Sequence, residues 1–408
     1  MERIKTDILV AGAGAAGLIA AIALARAGHR TLLVGRTPPH LPGRTVALFE
    51  GSLRTLEDLG LRAALGPISA PVAGIRIIDD TGSVFAPPPA VFAAREIGLE
   101  NFGLNVANDD IVAAYSKIAD NLDGLTRREA FVTDYAFGPD GVVATLDDGA
   151  AVACAMVVAG DGRKSKARIA AGIEAEEWTY PQVAITAILR HRRGHDDLTT
   201  EFHTRSGPFT FVPMPPLADA PHRTSLVWLV KPEEAKRLLA LDAKALADAI
   251  AEAAHHRYGA IQIEGDVGSF PMGGMRTKAV SAQRLMLVGE ACHVFPPLAA
   301  QGLNLGIRDS ADAALALDGV DLRDSGALEK ATADYETARR ADIDMRTRGV
   351  DLLNRSLLSQ FPAMDALRGA ALGVASTVGP LKRAIMREGV EPRLARTLAA
   401  FLPEPGGR

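Results

Sequence analysis

Short apolar runs alternate with a helical pattern at the start of this chain. Residues 8–11 and 31–34 are largely apolar runs of the kind that form buried parallel strands. Residues 18–26, between them, are almost wholly Ala, Ile and Leu, and Gly28 stands where a helix would end. This order predicts a parallel sheet with a helix packed on it, as in an α/β domain.

A second pattern begins after residue 181. Strand-like runs cover residues 183–190, 199–203, 209–214 and 225–230. A helical pattern follows at residues 231–257, with a break near Leu241 and Asp242. We predict that this β-rich block is a domain inserted between two halves of the α/β domain.

Shorter elements complete the predicted outline. They include strands at residues 74–80, 83–86 and 285–288 and a hairpin of residues 141–146 and 150–155. A helix is predicted at residues 109–119, with Asn108 and Asp109 as its N-cap. From Ser310 onward the pattern is helical. The outline predicts a mixed α/β protein with a helical C-terminus.

Composition narrows the class of protein. Of 408 residues, 48% are hydrophobic and 23% charged, which fits a globular α/β protein of two or three domains. The net charge of −4 gives no support for nucleic-acid binding. Cys154 and Cys292 fit neither a metal site nor a disulfide framework, so we expect a reducing, cytoplasmic setting. No secretory signal or membrane-spanning run is expected.

One pair of histidines has a spacing that could suit a metal ion. His191 and His195 would share one face of a helix, but Arg192, Arg193 and Gly194 between them make a poor helix. No acid is placed to help. We therefore predict no metal site.

The first candidate site follows the first strand. Gly12, Gly14 and Gly17 have the spacing G-x-G-x-x-G between a strand and an Ala-rich helix. In this context Gly12 allows a tight turn, Gly14 lets a pyrophosphate approach, and Gly17 lets the helix pack closely. The acid expected about 20 residues further on is replaced by Gly35, followed by Arg36. This motif alone leaves NADP and FAD open.

A second candidate site lies at residues 285–306. An apolar strand ends in Gly289-Glu290, a double proline stiffens the following loop, and a Gly-rich segment from Gln301 to Gly306 opens a helix. One carboxylate and several backbone N–H groups therefore lie at the carboxyl ends of the strands of a sheet. Two such sites that bind the same ligand are typical of an FAD-dependent enzyme.

A third motif makes the pattern specific. An apolar strand at residues 157–160 leads into Asp161-Gly162 and a basic helix start. With Gly289-Glu290, it resembles the paired fingerprints of the single-component aromatic hydroxylases, the group A flavoprotein monooxygenases of the p-hydroxybenzoate hydroxylase fold. Within that group, the chain resembles the ubiquinone-biosynthesis hydroxylases at residues 43–48, 104–108 and 351–358. It departs from the family at Gly35, where an acidic residue is usual, and at Glu290, where Asp is usual.

The resemblance implies a Rossmann-like FAD-binding domain, an inserted β-rich substrate domain and a helical C-terminal region. The FAD-binding domain would comprise residues 1–80, 100–180 and 265–330, the substrate domain residues 81–99 and 181–264, and the C-terminal region residues 331–408.

The resemblance also implies roles for individual residues. FAD would be bound by Gly12, Gly14, Gly17, Arg44, Asn108, Asp161, Gly162, Gly289, Glu290, Gln301 and Gly302. Arg44 would contact a flavin or nicotinamide phosphate, the alternative being a surface arginine. His293 and Pro296 would lie near the flavin, with His293 shaping the loop more than transferring protons. NADH or NADPH would dock transiently in the cleft, because the chain has one G-x-G-x-x-G only.

The implied activity is hydroxylation of a polyprenylated phenol or quinone precursor in ubiquinone biosynthesis. It would use NAD(P)H and O₂ through a flavin C4a-hydroperoxide. Two alternatives stay open: a hydroxylase of a small soluble phenol or xenobiotic, and a non-catalytic flavin-binding subunit of a biosynthetic complex.

The last part of the chain has its own charge. Residues 345–408 contain ten Lys or Arg and five Asp or Glu. A basic, apolar helical end favours contact with a membrane surface, such as the inner membrane face, or with a quinone-biosynthesis complex. The alternative is a helical cap on the flavin domain.

Overall fold

Four sheets organise the part of the chain that the computed structural model describes, residues 2–83, 86–296, 300–358, 373–374 and 377–391. The strands, in chain order, are β1 (Arg3–Lys5), β2 (Ile8–Ala11), β3 (Thr31–Val34), β4 (Thr45–Phe49), β5 (Ser69–Val72), β6 (Gly74–Asp79), β7 (Ala90–Ala93), β8 (Gly103–Ala107), β9 (Leu125–Arg128), β10 (Val132–Phe137), β11 (Val142–Leu146), β12 (Ala151–Cys154), β13 (Met156–Ala159), β14 (Ala175–His191), β15 (Leu198–Thr204), β16 (Gly207–Met214), β17 (Arg223–Val230), β18 (Ile261–Thr277), β19 (Ser281–Ala282), β20 (Leu285–Leu287) and β21 (His293–Val294).

Nine helices join these strands within the same described ranges. They are α1 (Ala15–Arg26), α2 (Glu50–Asp58), α3 (Asn108–Ala119), α4 (Lys166–Ala170), α5 (Pro232–Leu239), α6 (Ala243–Ala253), α7 (Gln301–Leu317), α8 (Ser325–Leu358) and α9 (Gly379–Val390). Short 3₁₀ turns cover Arg62–Ile68, Ala94–Ile97 and Gly289–Ala291.

The first large sheet has six strands in the order β19-β20-β13-β2-β3-β9. All neighbours from β20 to β9 are parallel. Strands β2, β3, β13 and β20 are completely buried, as expected when helices cover both faces of a parallel sheet. The carboxyl ends of β2, β13 and β20 therefore meet at one edge, from which Gly12, Gly160 and Gly289 continue.

The second large sheet has eight strands in the order β21-β18-β14-β17-β16-β15-β6-β7. Its pairs are antiparallel except β15 with β6. Strands β14 and β18 have 17 residues each and pair from Ala175 opposite Thr277 to His191 opposite Ile261. Helices α5 and α6 pack against this sheet around an aromatic core that includes Phe209.

Two smaller sheets complete the set. One has the order β1-β12-β11-β10, and the other β4-β8-β5. In the second, the buried Asn105 donates from Nδ2 to Pro213 O at 2.8 Å. This bond fixes the three-stranded sheet to β16 of the eight-stranded sheet, which matters because β4 directly follows the loop of Arg44.

The C-terminal helices lie against both large sheets. Helix α8 packs on α7, and α9 buries Met386 and Val390 against Phe92 and Phe102. Among the described residues, no helix is both long enough and apolar enough to cross a bilayer.

The predicted fold class is confirmed, together with most of its elements. The strands expected at residues 183–190, 199–203, 209–214 and 225–230 lie within β14 to β17. The hairpin is β11 with β12. The predicted helical break is also present, since α5 ends at Leu239 and Asp242 caps α6 by accepting from Ala245 N at 2.7 Å.

Some local predictions differ from the structure. The predicted N-cap is wrong, because Asn108 is the first residue of α3, Ala107 precedes it without a side-chain cap, and Asp109 pairs with His40. The predicted strand at residues 83–86 includes residues 84 and 85, which lie outside the described residues. Strand β18 was not predicted over its length.

Strand pairing bears on the predicted division into domains. Strand β6 pairs with β15, β14 begins within the range assigned to the FAD-binding domain, and β18 extends into it. The division stays a prediction, and the pairing favours assigning these three strands to the β-rich region.

Candidate functional site

The first glycine turn is tightly packed at two of its three glycines. Gly12 has φ +105°, and a Cβ there would lie 2.2 Å from Gly160 O. A Cβ at Gly17 would lie 1.9 Å from Gly12 O. At Gly14, in contrast, the nearest atom to a Cβ is Pro38 Cγ at 4.0 Å. Gly14 therefore borders open space at the N-terminus of α1, where backbone N–H groups favour an anion.

The glycine in place of the ribose-binding acid has a steric explanation. A Cβ at Gly35 would lie 2.4 Å from Ala13 N, inside the glycine turn. Any side chain at position 35 would displace that turn. A dinucleotide bound here must therefore be recognised by groups other than an acid at position 35.

The second turn brings two predicted cofactor residues together. Glu290 follows Gly289, whose φ is +59°, and Arg44 Nη2 donates to Glu290 Oε1 at 2.9 Å. Both side chains are about half exposed, at 44% for Arg44 and 52% for Glu290. The pair spans the opening between the loop after β3 and the turn after β20.

The loop that carries Arg44 is fixed at both ends. Thr186 Oγ1, in β14, donates to Pro42 O at 2.7 Å. Asn108 N donates to Arg44 O at 3.1 Å. Asn108 thus supports Arg44 through its backbone, a role that the motif did not indicate.

The Asp161-Gly162 motif lies beside both turns. Asp161 Oδ2 accepts from Lys166 N at 2.9 Å, which supports the start of α4, while Oδ1 is buried without a hydrogen-bond partner among the described residues. Burial raises the pKa of the Asp161 carboxyl. Arg168 Nη1 donates to Ala291 O at 3.0 Å and thereby ties this motif to the second turn.

Helix α7 begins at the same edge of the sheet. Gln301 is its first residue and is buried, and a Cβ at Gly302 would meet nothing within 4 Å. Asn304 Oδ1 accepts from Phe49 N at 3.0 Å, which holds the start of α7 against β4. Gly302 is therefore a second open position at a helix N-terminus.

His293 is buried beneath the second turn. Its Nε2 lies 2.7 Å from Asp309 Oδ2, and Asp309 Oδ1 accepts from Arg339 Nε at 2.7 Å. Pro296 lies further along the loop, and residues 297–299 are outside the described residues. His293 thus contacts α7 behind the turn, and Asp309 links it to Arg339 of α8.

A cavity of about 290 Å³ lies between the loop that carries Arg44, the second turn and the eight-stranded sheet. Its lining includes the Arg44–Glu290 pair, Arg163 and backbone from β18, and its apolar wall consists of Leu41, Pro42, Phe270, Pro271, Met272, Val294, Phe295 and Pro296. The size is at the lower end of the range for small-molecule sites. No three His, Cys, Asp or Glu side chains in the described ranges are grouped to hold a metal ion.

These residues fit FAD. The open positions at Gly14 and Gly302 leave room for a ligand against two helix N-termini, and the partnerless Asp161 Oδ1 and the exposed Arg44–Glu290 pair offer hydrogen-bonding groups. The parallel sheet, its glycine turn and the second turn at the same edge define a dinucleotide-binding flavoprotein.

Comparison with known proteins agrees with this class. A family described as "FAD binding domain" matches residues 5–344. The chain is 32% identical to the Ubiquinone hydroxylase UbiL of Rhodospirillum rubrum, over 93% of this chain and 88% of that protein. It is 24% identical to the Ubiquinone hydroxylase UbiM of Neisseria meningitidis, over 94% and 84% of the two chains.

A solved structure shows the same fold. The p-nitrophenol 4-monooxygenase PnpA of Pseudomonas putida superimposes with a TM-score of 0.79 at 18% identity, over 96% of this chain and all of that one. The chain belongs to the family of FAD-dependent monooxygenases with the p-hydroxybenzoate hydroxylase fold, and FAD is its cofactor.

Several residues of the site were not identified from the sequence. Arg339 lies far from the glycine motifs in the chain. Arg168 and Asp309 follow Gly162 and Gly302 by only six and seven residues, but no spacing marks them, and the motif predicts Arg168 only as part of a basic helix start.

Proposed function

We propose that the protein hydroxylates the aromatic ring of a polyprenylated phenol or quinone precursor in ubiquinone biosynthesis, with NADH or NADPH and O₂ as co-substrates. The observation that carries the substrate class is the 32% identity to a ubiquinone hydroxylase along nearly the whole of both chains. The cavity between the second turn and the eight-stranded sheet supports this proposal, because its wall is largely apolar.

The roles of individual residues follow from their positions. Gly14 and the N-terminus of α1 would hold the pyrophosphate, and Gly302 at the start of α7 would place backbone N–H groups near the flavin ring. Arg44 would bind a phosphate group, and Glu290 and Asp161 would accept hydrogen bonds from cofactor hydroxyl groups. When bound, reduced FAD supplies the activation of O₂.

The chain's other contribution is exclusion of water from the reacting ring. Phe270, Val294, Phe295 and Pro296 form one apolar side of the cavity. Exclusion of water protects reactive intermediates from side reactions and strengthens nearby electrostatic interactions. We propose that the FAD-binding and substrate regions meet along this wall.

The function is tested by expressing the chain in a strain that lacks the corresponding quinone hydroxylase and identifying the accumulated intermediates by mass spectrometry. Restored quinone synthesis supports the proposal. Failure to restore it, with fast NAD(P)H-dependent hydroxylation of a small soluble phenol, would assign the alternative substrate class. Bound FAD without substrate-dependent O₂ uptake on any phenol would indicate a non-catalytic subunit.

We propose also that the C-terminal region contacts a membrane containing anionic lipids. Val374 and Val378, which precede α9, and Leu381 and Ile385, within it, are each 43–49% exposed. Arg383 and Arg387 are exposed beside them and make no ion pair with the described residues. A lipid-soluble substrate resides in the bilayer, so contact with the membrane would bring the enzyme to it. Each basic residue near an anionic membrane surface contributes about 1 kcal/mol to the binding free energy.

Liposome flotation tests this contact. The protein should bind vesicles with phosphatidylglycerol more than neutral vesicles, and binding should fall as salt rises. Leu381→Glu with Ile385→Glu should abolish binding. Val143→Glu, at an equally exposed apolar position in β11, is the matched control. Equal loss in both variants, or no binding by the unchanged protein, would refute the membrane contact and leave the reaction proposal untouched.

A further inference from the structure

One buried carboxylate contacts both ends of the second turn. Asp309, in α7, is fully buried. Its Oδ2 accepts from Gly289 N at 3.0 Å and lies 2.7 Å from His293 Nε2. These two residues flank Glu290, so a single oxygen is bonded on either side of the residue that faces the cavity.

The turn is also held by other bonds, among them Arg168 Nη1 to Ala291 O at 3.0 Å and Thr277 N to Cys292 O at 3.1 Å. Gly289 has a left-handed φ of +59°, and a Cβ there would lie 2.9 Å from Ala16 Cβ, so the turn is pressed against α1. Within the turn, Cys292 N donates to Gly289 O at 2.9 Å. Among the described residues, the hydrogen bonds that join the turn to α7 are those to Asp309.

Arg339 holds the other side of this carboxylate. It lies in α8 and is almost fully buried, and its Nε donates to Asp309 Oδ1 at 2.7 Å. Its remaining nitrogens donate to Asp312 at 3.1 Å and to Asp342 at 3.0 Å. Helix α8 therefore reaches the cofactor turn through a chain of two residues, Arg339 and Asp309.

The chemistry of the three contacts requires a carboxylate at position 309. Gly289 N and Arg339 Nε are donors only, and His293 Nε2 donates in the tautomer that satisfies this bond. A carboxylate has acceptor sites only, whereas an amide would turn a donor towards one of these partners. Burial opposes ionisation of Asp309, but the neighbouring His293 and Arg339 outweigh it and hold its pKa below the usual range.

We propose that Asp309 is a positioning residue of the cofactor site. Through Gly289 and His293 it fixes the turn that presents Glu290, and Arg339 of α8 holds the carboxylate in place. This inference rests on the proposed role of the Gly289-Glu290 turn in binding FAD. It assigns to the helical C-terminus a part in cofactor binding, beyond covering the sheet.

The test compares Asp309→Asn with Asp342→Asn. Asp342 is a matched control, because it is also buried and bonded to Arg339 but does not contact the turn. For each variant we would measure the melting temperature without FAD, the FAD dissociation constant by flavin fluorescence, and the absorption spectrum of the bound flavin.

Both variants should melt at lower temperature than the unchanged protein. Only Asp309→Asn should weaken FAD binding, by roughly tenfold or more, and shift the flavin absorption bands. Equal weakening in both variants would overturn the inference, because it would reduce Asp309 to a fold-stabilising residue. If the unchanged protein bound no FAD, the proposed function itself would fail instead.

A second pair of variants keeps the inference testable if Asp309→Asn does not fold. His293→Gln retains an N–H donor towards Asp309, whereas His293→Leu removes it. Gln should keep FAD affinity within about threefold, and Leu should lose roughly tenfold. Equal affinity in the two variants would show that the bond to Asp309 does not position the turn.

Discussion

At the residue scale, the glycines of the first turn differ in what a side chain would displace. A Cβ at Gly17 would collide with the backbone of Gly12, whereas a Cβ at Gly14 would enter open space. The fold therefore requires glycine at position 17, whereas only the bound ligand requires it at position 14.

We predict that Gly14→Val leaves a folded protein without bound FAD, because the branched side chain fills the space the pyrophosphate needs. Gly17→Val should fail to fold. Circular dichroism and the absorbance of the purified protein at flavin wavelengths measure the two effects. A Gly14→Val protein that is yellow and binds one FAD per chain would contradict the assignment.

The Arg44–Glu290 pair gives a second prediction at this scale. Glu290→Ala should weaken FAD binding by about tenfold, and Glu290→Asp by less than threefold, because charge at the turn matters more than arm length. Flavin titration measures both constants. Glu177→Ala is the control, since Glu177 pairs with Arg163 and is as exposed as Glu290. An Asp variant weaker than the Ala variant would show that the carboxylate role is wrong.

At the scale of elements, the sequence predicted those whose pattern is regular. Buried strands such as β2 and β3 are short apolar runs, and the α5–α6 break has its capping Asp242. Strand β18 has four glycines and a proline in 17 residues, which conceal its strand character. Its pairing with β14 depends on tertiary contacts that composition does not show.

The candidate site was predictable to a similar extent. Gly12, Asp161 and Gly289 stand at the ends of strands, where local motifs mark them. Asp309 and Arg339 are brought to the second turn by helix packing, and nothing in their local sequence distinguishes them from surface charges. Buried charge networks between distant elements therefore remained unpredicted.

Helix α8 gives a prediction at the element scale. A chain truncated after Arg340 loses Asp351, Asn354 and the buried Val350. Asp351 accepts from Tyr180 at 2.7 Å, and Asn354 donates to Gln182. It should lose quinone synthesis and stability. A chain truncated after Leu358 retains these contacts and should keep FAD but lose liposome binding. Complementation and thermal melting distinguish the two, and full activity of the shorter chain would contradict this.

At the scale of the whole molecule, buried carboxylates make stability depend on acid. Burial opposes ionisation of Asp342, but Arg308 and Arg339 outweigh it and lower its pKa to about 2. The unfolded carboxyl titrates near 3.8. The stabilisation is therefore complete well above pH 4 and is lost as the pH falls towards 2, by about 2 kcal/mol for this group.

Urea unfolding between pH 6 and about pH 3 measures this effect. The unchanged protein should keep its stability down to about pH 5 and lose it as the pH falls from there to about 3. Asp342→Asn should be less stable at pH 6 and should show a shallower dependence on pH, because one titrating carboxyl has been removed. An unchanged slope would mean that the neighbouring arginines do not lower the pKa of Asp342 in the folded protein.

The strand order of the six-stranded sheet has a consequence for synthesis. Strand β13 lies between β2 and β20, yet β20 follows it by well over a hundred residues of chain. At about 5–20 residues per second, the ribosome would leave the edge of β13 unpaired for about 6 to 25 seconds. The nascent protein should therefore depend on chaperones during that interval, and it can acquire its cofactor only after α7 has left the exit tunnel.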